Sequence, residues 1–170
     1  MPIIAKINPP VDTLKNEVKY NEITGLFTWL INKKGPIKIG MTAGAKRKDG
    51  YISIRINGED YLAHRLAWLI YYGELSEKYQ IDHINLCRSD NRIQNLRIAS
   101  HGENSINTNA KSHNVSGLKG AHYHIKRKKY RSRITINGKQ KWLGYFDTAE
   151  EAHAAYCKAS IDLHGEFSRT

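Results

Sequence analysis

The stretch YQIDHINLCRSDNRIQNLRIASHGENSINTN, residues 79–109, decides how this chain folds. The apolar, β-branched run at 79–84 predicts a strand, and the alternation at 95–99 predicts a second, half-buried one. The polar run at 85–94 between them is too long for a tight hairpin turn and predicts a loop. The stretch therefore begins as two strands joined by a long loop.

A helix is predicted after the second strand. Ser100 and Glu103 have the spacing of a capping box, in which each side chain satisfies a backbone amide of the other residue. This spacing predicts a helix that begins at about His101, with Asn104 in its first turn. The positive end of a helix dipole favours anions such as phosphate.

Polar side chains fall at the ends of these predicted elements. Asp82 and His83 end the first strand, Asn95 ends the loop, and Asn104 projects from the helix start. A carboxylate and an amide oxygen suit Mg²⁺ or Mn²⁺, and the adjacent histidine is a base that titrates near neutral pH. A metal ion beside a general base is what phosphodiester hydrolysis requires.

The spacing of the polar groups carries a further signal. The groups are Asp82-His83, Asp90-Asn91-Arg92, Asn95-Leu96 and Glu103-Asn104. This arrangement closely resembles the HNH nuclease motif, the ββα-metal fold, in the form found in phage and intron-encoded homing endonucleases. Asn104 stands where the family's name has a histidine, which favours an oxygen-only Mg²⁺ site over a zinc-like one.

The resemblance implies a role for each polar position. His83 would deprotonate the attacking water, while Asp82 and Asn104 would hold one divalent cation, Mg²⁺ or Mn²⁺, against the phosphate. Asn95 would fix the loop through its backbone and so orient His83. Phosphate contact and simple solvation are equal alternatives for each arginine of the stretch: Arg88, Arg92 and Arg97.

The composition excludes several classes of protein. A chain of 170 residues is one domain or two small ones, and it has no apolar run long enough to span a membrane. The amino end lacks the layout of a secretory signal. Cys87 and Cys157 have no metal-type spacing, so we expect reduced thiols, no structural zinc and a cytoplasmic location. The resemblance places that cytoplasm in a bacterial or phage-infected host cell.

The positive charge is concentrated in two tracts. The formal net charge is +11 and the pI is about 9.6. Ten Lys or Arg residues and no acid lie between Glu103 and Asp147, and six lie between Glu22 and Asp49. Neither tract has the helical periodicity of a membrane-surface helix. A polyanion is the better interpretation, and we expect the partner to be double-stranded DNA.

The amino-terminal part predicts small strands. Residues 1–19 contain prolines that oppose early regular structure, with a short helix in 11–20 and no assigned function. Strands are predicted at 26–29 and 51–56, the second one followed by an Asn57-Gly58 hairpin turn. This pattern resembles the sheet that precedes the HNH motif in the homing-type subgroup.

Aromatic and basic residues of this part have two readings each. Trp29 and Tyr51 are expected in the core, with base stacking as the alternative. The amphipathic helix at 62–72, ended by Gly73, carries His64, for which a structural role is expected over a catalytic one. Solvated charges or contacts with a DNA backbone are the alternatives for the loop residues Lys33, Lys34, Lys38, Lys46, Arg47 and Lys48.

A second unit follows a polar linker at 107–116. Strands are predicted at 117–124, 130–136 and 141–145, with an Asn137-Gly138 turn between the last two. Because successive residues of a strand face opposite sides, this sheet has a basic face and an apolar one. In the middle strand, Arg131 and Arg133 lie on the first face, whereas the second carries Ser132, Ile134 and Ile136.

A helix is predicted to cover the apolar face. Thr148 and Glu151 form a second capping box, and Gly165 ends the helix. The residues along its packing side are Ala152, Ala155, Tyr156, Ala159 and Leu163. The small alanines allow close packing, which leaves the basic face of the sheet for a partner.

Residues 117–168 resemble the plant ethylene-response-factor (AP-two type) DNA-binding domain, most specifically in 142–152. That family lays its three-stranded sheet in the major groove. His122 and His124 replace its usual first-strand arginines, so its target sequence is not transferred. The residues that would face DNA are His122, His124, Arg131, Arg133 and Trp142, with core packing as the alternative for the tryptophan.

These observations predict an α+β protein in two parts. A small amino-terminal sheet plus the ββα-metal module forms residues 1–110, with strands that contact DNA in 20–61 and the catalytic core in 62–109. A linker at 111–116 leads to 117–170, a three-stranded antiparallel sheet packed on one helix.

The predicted function is sequence-preferring, metal-dependent cleavage of duplex DNA by a monomer that nicks one strand. The resemblance implies 5′-phosphate and 3′-hydroxyl ends. The alternative from another class is a non-catalytic DNA-binding transcriptional regulator that keeps the HNH unit as a scaffold. An RNA-directed nuclease is disfavoured because A-form RNA does not admit such a sheet into its major groove.

Overall fold

The structure, a computed structural model, divides into two compact units. The amino-terminal unit is Met1–Ser100 and the carboxy-terminal unit is His101–Thr170. Small antiparallel sheets and a few helices make up both, so the predicted α+β class is confirmed. The residues that the structure describes are 8–76, 78–106, 114–136 and 138–168.

The amino-terminal unit consists of short strands and two α-helices, α1 and α2. In chain order, the described elements are α1 (Val11–Glu17), β1 (Val18–Tyr20), β2 (Phe27–Trp29), β3 (Thr42–Ala43), β4 (Ala45–Lys46), β5 (Ile52–Ile56), β6 (Glu59–Leu62), α2 (Ala63–Tyr72), β7 (Gln80–His83), a 3₁₀ turn (Ile93–Asn95) and β8 (Leu96–Ala99). The strands form antiparallel sheets in the orders β1–β2–β3, β4–β5–β6 and β7–β8. The largest fully buried side chains of its core include Leu14, Phe27, Ile54, Ile56 and Leu66.

Two local predictions for this unit are confirmed. Gly73 ends α2 in the left-handed conformation, with φ of 85°. Asn57 and Gly58 join β5 to β6 with φ of 48° and 81°, which are the positive values that a two-residue hairpin turn needs.

The first helix is shorter than the predicted 11–20. It ends at Glu17, and the next residues form β1, which pairs with β2. Both ends of β1 are buried. Sheet pairing and burial therefore outweigh the local helix preference of this segment.

The carboxy-terminal unit contains the predicted three-stranded sheet. Its described elements are α3 (His101–Ile106), β9 (Ala121–His124), a 3₁₀ turn (Ile125–Arg127), β10 (Lys129–Ile136), β11 (Lys139–Phe146), α4 (Ala149–His164) and a last 3₁₀ turn (Gly165–Phe167). The sheet is antiparallel in the order β11–β10–β9. Strand β9 begins later than the predicted 117 because turns occupy the residues before it. The predicted linker and the Asn137-Gly138 turn extend outside the described residues and stay predictions.

Helix α4 packs on this sheet much as the sequence predicts. The Thr148 Oγ1 accepts a hydrogen bond from the Glu151 amide at 3.1 Å, so the capping box is confirmed. Gly120 has a φ of 79°, and an added Cβ would lie 2.1 Å from Cγ of Tyr156 on α4. The glycine thus permits the close approach of helix and sheet.

One assignment on α4 is wrong. Leu163, predicted on the packing side, is 39% exposed, whereas Ser160 is fully buried. The Ser160 hydroxyl is satisfied by a 2.9 Å hydrogen bond from Ser168 Oγ. A polar residue therefore takes an interior position that the apolar pattern assigned to a leucine.

Candidate active site

Asp82 and His83 are buried neighbours at the end of β7. In the pairing of β7 with β8, Asp82 lies opposite Arg97 and His83 lies opposite Leu96. The exposed fractions of the two residues are 5% and 4%. Because an unpaired polar or charged group is costly inside a protein, both side chains need partners.

Arg97 is a partner of Asp82. Its Nε and Nη2 atoms donate hydrogen bonds to Asp82 Oδ2 at 3.0 Å and 2.9 Å. The arginine side chain is only 11% exposed. The structure therefore places Arg97 against the carboxylate, a partner that neither sequence alternative, phosphate contact or solvation, had named.

Asn95 holds the long loop together. Its Oδ1 accepts from the Asn85 amide at 3.0 Å, and its Nδ2 donates to Asn85 Oδ1 at 2.9 Å and to the Asp90 carbonyl at 2.8 Å. The Asn95 carbonyl also accepts from the Ile84 amide at 2.9 Å. These bonds join the two ends of the loop next to His83.

Asn91 is the side chain that contacts the His83 ring in this loop. The distance from His83 Nε2 to Asn91 Oδ1 is 3.2 Å, and Asn91 is only 3% exposed. The sequence places Asn91 inside the motif, but a polar loop residue carries no local signal of which way it points. Its contact depends on the folded loop and was not predictable.

Two more rings pack around His83. The ring centroids of His64 and Tyr51 lie 4.8 Å and 5.8 Å from that of His83. His64 is buried, as its expected structural role requires. Trp29 lies in the core as predicted, but Tyr51 is half-buried beside the candidate site, so its core assignment is wrong.

The surroundings keep both histidines neutral at neutral pH. Burial lowers the pKa of His83, against the opposing effects of the Asn91 hydrogen bond and the Asp82 charge. Burial, with the charges of His83 and Arg65, lowers the pKa of His64 from 6.5 to about 3. The neutral imidazole is the form that can accept a proton from water.

Arg88 and Arg92 lie on the exposed side of the loop. The Arg88 Nη1 donates to the Asp49 carbonyl at 2.9 Å, and its guanidinium lies over the Tyr51 ring. The Arg92 guanidinium binds both carboxylate oxygens of Asp90 at 2.8 Å and 2.6 Å and lowers the pKa of that carboxyl to about 2. Both arginines can still present charge to solvent.

Comparison with known proteins agrees with this geometry. The HNH endonuclease family matches residues 61–106, which include β7, the loop and β8. Protein 3.8 of Escherichia phage T7 is 34% identical over 106 residues, which are 62% of this chain and 87% of that protein. This chain belongs to the HNH endonuclease family. The chain is also 28% identical to the uncharacterized HNH endonuclease L560 of Acanthamoeba polyphaga mimivirus, over 85% of this chain and 74% of that protein.

A solved structure also aligns with this chain. It is a structure of DNA binding and cleavage by the HNH homing endonuclease I-HmuI. The TM-score is 0.45 and the sequence identity is 19%. The alignment covers 92% of this chain and 90% of that one.

The two predicted metal ligands of this chain belong to different units. Asp82 lies in the amino-terminal unit, whereas Asn104 lies in the first helix of the carboxy-terminal unit. In the described ranges, no three His, Cys, Asp or Glu side chains form a cluster suited to a metal. One carboxylate and one amide fit a hard cation such as Mg²⁺, which takes most of its ligands from water and substrate oxygens.

The five DNA-facing candidates of the carboxy-terminal unit share one face of the sheet. Arg131 lies opposite His122, and Arg133 lies opposite Trp142, so each pair points to the same side. His124 follows His122 by two residues and shares its side. Trp142 is 51% exposed, which excludes the core-packing alternative.

Tyr145 and Arg127 also belong to this face, although the sequence did not single them out. The Tyr145 ring lies 4.8 Å from that of Trp142 and 5.4 Å from that of His124. The Arg127 guanidinium lies 4.7 Å above Tyr145. Tyr145 therefore connects the aromatic and cationic side chains into one partly exposed cluster, which depends on strand register and was not visible locally.

The basic loops of the amino-terminal unit are partly engaged. Lys33 pairs with Glu17 and lies over the Trp29 ring, and Arg47 pairs with Asp49 at 3.0 Å. These contacts reduce the charge available to a polyanion. No helix in the described part of the chain has the length and apolarity to cross a lipid bilayer.

Proposed function

We propose that this HNH endonuclease hydrolyses phosphodiester bonds of duplex DNA with a divalent metal ion and nicks one strand. The observation that carries the proposal is the pair at the end of β7. There, a buried carboxylate bound to Arg97 stands beside a buried histidine bound to Asn91.

His83 supplies the base. Its neutral ring takes a proton from water as the water oxygen bonds to phosphorus. The bond from phosphorus to the 3′ oxygen breaks, and the electron pair leaves with that oxygen, which takes a proton from solvent. The products are a 5′-phosphate and a 3′-hydroxyl. The lowered pKa of His83 favours the neutral form that this step needs.

Asp82 and Asn104 would hold the metal ion, Mg²⁺ or Mn²⁺. When bound, such an ion supplies positive charge that offsets the negative charge developing on the phosphate and the leaving oxygen. Arg97 holds the Asp82 carboxylate in place and balances its negative charge. Asn95 fixes the loop that carries Asn91 past His83.

The sheet of the carboxy-terminal unit would hold the DNA. Its exposed face combines cations with aromatic rings, which suits phosphates and base edges in a groove. In the amino-terminal unit, Arg88 and Arg92 would contact phosphates near the cut. The side chains that make up the sheet surface are His122, His124, Arg127, Arg131, Arg133, Trp142 and Tyr145.

Each chain carries one His83 site, and one site cuts one strand. A monomer is therefore expected to nick duplex DNA. An open circle formed from supercoiled plasmid would be the direct product of such a cut.

The test is plasmid cleavage with Mg²⁺ by wild type, by His83→Ala and by Gln94→Ala, an exposed loop control. We expect open circles from wild type and the control, and supercoiled plasmid with His83→Ala. Equal cleavage by all three proteins would contradict the catalytic assignment. DNA binding without cleavage by any of them would favour the regulator alternative. Linear product without open circles would contradict nicking alone.

A further inference from the structure

The loop segment that contacts His83 is held from outside the HNH motif. The Tyr20 hydroxyl, on β1, donates to the Asn91 carbonyl at 2.7 Å in a buried position. The Ile93 amide donates to the Glu22 carbonyl at 3.1 Å. A Cβ added at Gly25 would lie 2.5 Å from the Arg92 nitrogen. The turn after β1 therefore packs directly against residues 91–93.

Asn91 is held on its other side as well. The preceding carbonyl, that of Asp90, accepts from Asn95 Nδ2 at 2.8 Å. Burial raises the pKa of Tyr20, so its hydroxyl stays protonated and remains a donor. The backbone of Asn91 is thus fixed by two independent hydrogen bonds, and its side chain has a defined direction.

The side chain of Asn91 presents its oxygen to His83. The Asn91 Nδ2 lies 3.5 Å from the Ser89 carbonyl, which only accepts hydrogen bonds, so the amide nitrogen belongs on that side. The Oδ1 then faces His83 Nε2 at 3.2 Å. Because an amide oxygen cannot donate, Nε2 must carry the hydrogen.

We propose that Asn91 is a positioning residue that holds His83 in the Nε2–H tautomer, and that Tyr20 holds Asn91 in place. The lone pair of the neutral ring is then on Nδ1. Within the proposed function, on which this last step rests, Nδ1 is the atom that receives the proton of the attacking water. Nε2–H continues to donate to Asn91 after that transfer, so no second proton moves.

The hydrogen bond to Asn91 also fixes which way round the His83 ring lies. A half-turn of the imidazole would put Cε1 in the place of Nε2 and lose the bond to Asn91. His64 lies edge-on to His83 at 4.8 Å, with an interplanar angle of 70°. The Tyr51 ring lies on the same imidazole at 5.8 Å.

The direct test is the tautomer of His83 in the full chain. Long-range ¹H–¹⁵N spectra of ¹⁵N-histidine protein at about pH 8, without metal, distinguish Nε2–H from Nδ1–H rings. His83→Gln assigns the signals. We expect the Nε2–H pattern for His83 in wild type, and a Nδ1–H pattern there overturns the proposal whatever the protein cleaves.

Variants extend the test to Asn91 and Tyr20. Asn91→Ala should give mixed tautomers at His83 and lower kcat by about 10–100-fold, with KM for duplex DNA unchanged. Asn91→Asp keeps an oxygen acceptor and should keep the Nε2–H pattern, which separates this role from a need for asparagine in folding. Tyr20→Phe should shift the pattern less, and the exposed control Gln94→Ala should not shift it.

The outcomes separate the two proposals. A pure Nε2–H ring in Asn91→Ala overturns the role of Asn91, even if that variant cleaves slowly. A wild-type Nε2–H ring that is lost in Asn91→Ala supports it, even if plasmid cleavage shows no role for His83. In that second case the catalytic assignment fails and the positioning assignment stands.

Discussion

The end of β7 and the exposed face of the carboxy-terminal sheet handle polar side chains in opposite ways. Asp82 and His83 are about 5% exposed, with Arg97 and Asn91 fixed against them. On the sheet, Trp142 is half exposed and meets the Tyr145 ring edge-on, and the Arg127 guanidinium lies over that tyrosine ring.

This difference separates two physical tasks. A chemical step benefits from groups that are fixed in advance, because polar interactions are strongest where water is excluded. A binding surface must meet a partner and give up water, so its side chains stay at the surface. We infer that substitutions at β7 act on the rate of cleavage, whereas those on the sheet act on affinity.

The largest effect is expected at Asp82. Asp82→Asn keeps the shape of the side chain and removes the charge, so cleavage at a given Mg²⁺ concentration should fall by about a thousand-fold. EDTA should stop cleavage by wild type, and excess Mg²⁺ should restore it. Cleavage rates measured in both conditions check this, and a rate that EDTA leaves unchanged would contradict the metal requirement.

A large loss of stability is expected from Arg97→Ala. The variant removes the guanidinium that binds the buried Asp82 carboxylate, which should lower the free energy of unfolding by about 3 kcal/mol. Urea denaturation measures it. Arg47→Ala is the matched control, because its partner Asp49 is at the surface, and we expect no measurable change there. Equal midpoints for both variants would show that the Asp82 pair is not buried in solution.

His64 should make the protein acid-sensitive. Its pKa is about 3 when folded and near 6.5 when unfolded, so between these values the unfolded chain binds the proton more readily. Stability from this residue is therefore complete above about pH 7 and falls by about 2 kcal/mol by pH 5. Urea denaturation at pH 7 and at pH 5 measures this loss, and the difference in unfolding free energy between the two pH values should be smaller for His64→Leu than for wild type. An unchanged difference would place His64 in water.

The smallest effects are expected for single substitutions on the sheet. Arg131→Ala and Trp142→Ala should each weaken duplex binding by about tenfold, and only the arginine change should reduce the salt dependence. Lys158→Ala, an exposed charge on α4, is the control. Binding titrations at several salt concentrations measure both quantities. Equal losses of affinity for Arg131→Ala and Lys158→Ala would contradict a DNA-binding role specific to this face of the sheet.

The sequence predicts best where the signal is local. The capping box of α4, the Asn57-Gly58 turn and the strand–loop–strand of the motif follow from neighbouring residues. The contact of Asn91 with His83 depends on a loop fixed by β1, which is distant in sequence. The sequence around Asn91 contains no pattern that indicates contact with β1.

Tertiary partners also explain why Arg97 and Tyr51 lie where the sequence did not place them. Arginine is a residue type that often contacts phosphate, but the cross-strand register places Arg97 opposite Asp82. Tyr51 has the pattern of a core aromatic, but the chain brings it beside His64 and His83. Residue type determines which interactions a side chain can make, and the fold determines which residue it contacts.

The most direct test of the division of tasks measures two constants for two variants on one duplex. His83→Ala and the double variant Arg131→Ala/Trp142→Ala are compared by dissociation constant and by single-turnover cleavage rate at saturating protein. We predict that His83→Ala binds like wild type and cuts about 10²–10⁴-fold more slowly, while the double variant binds weakly and, once bound, cuts at the wild-type rate. A His83→Ala protein that cuts at the wild-type rate would contradict the account.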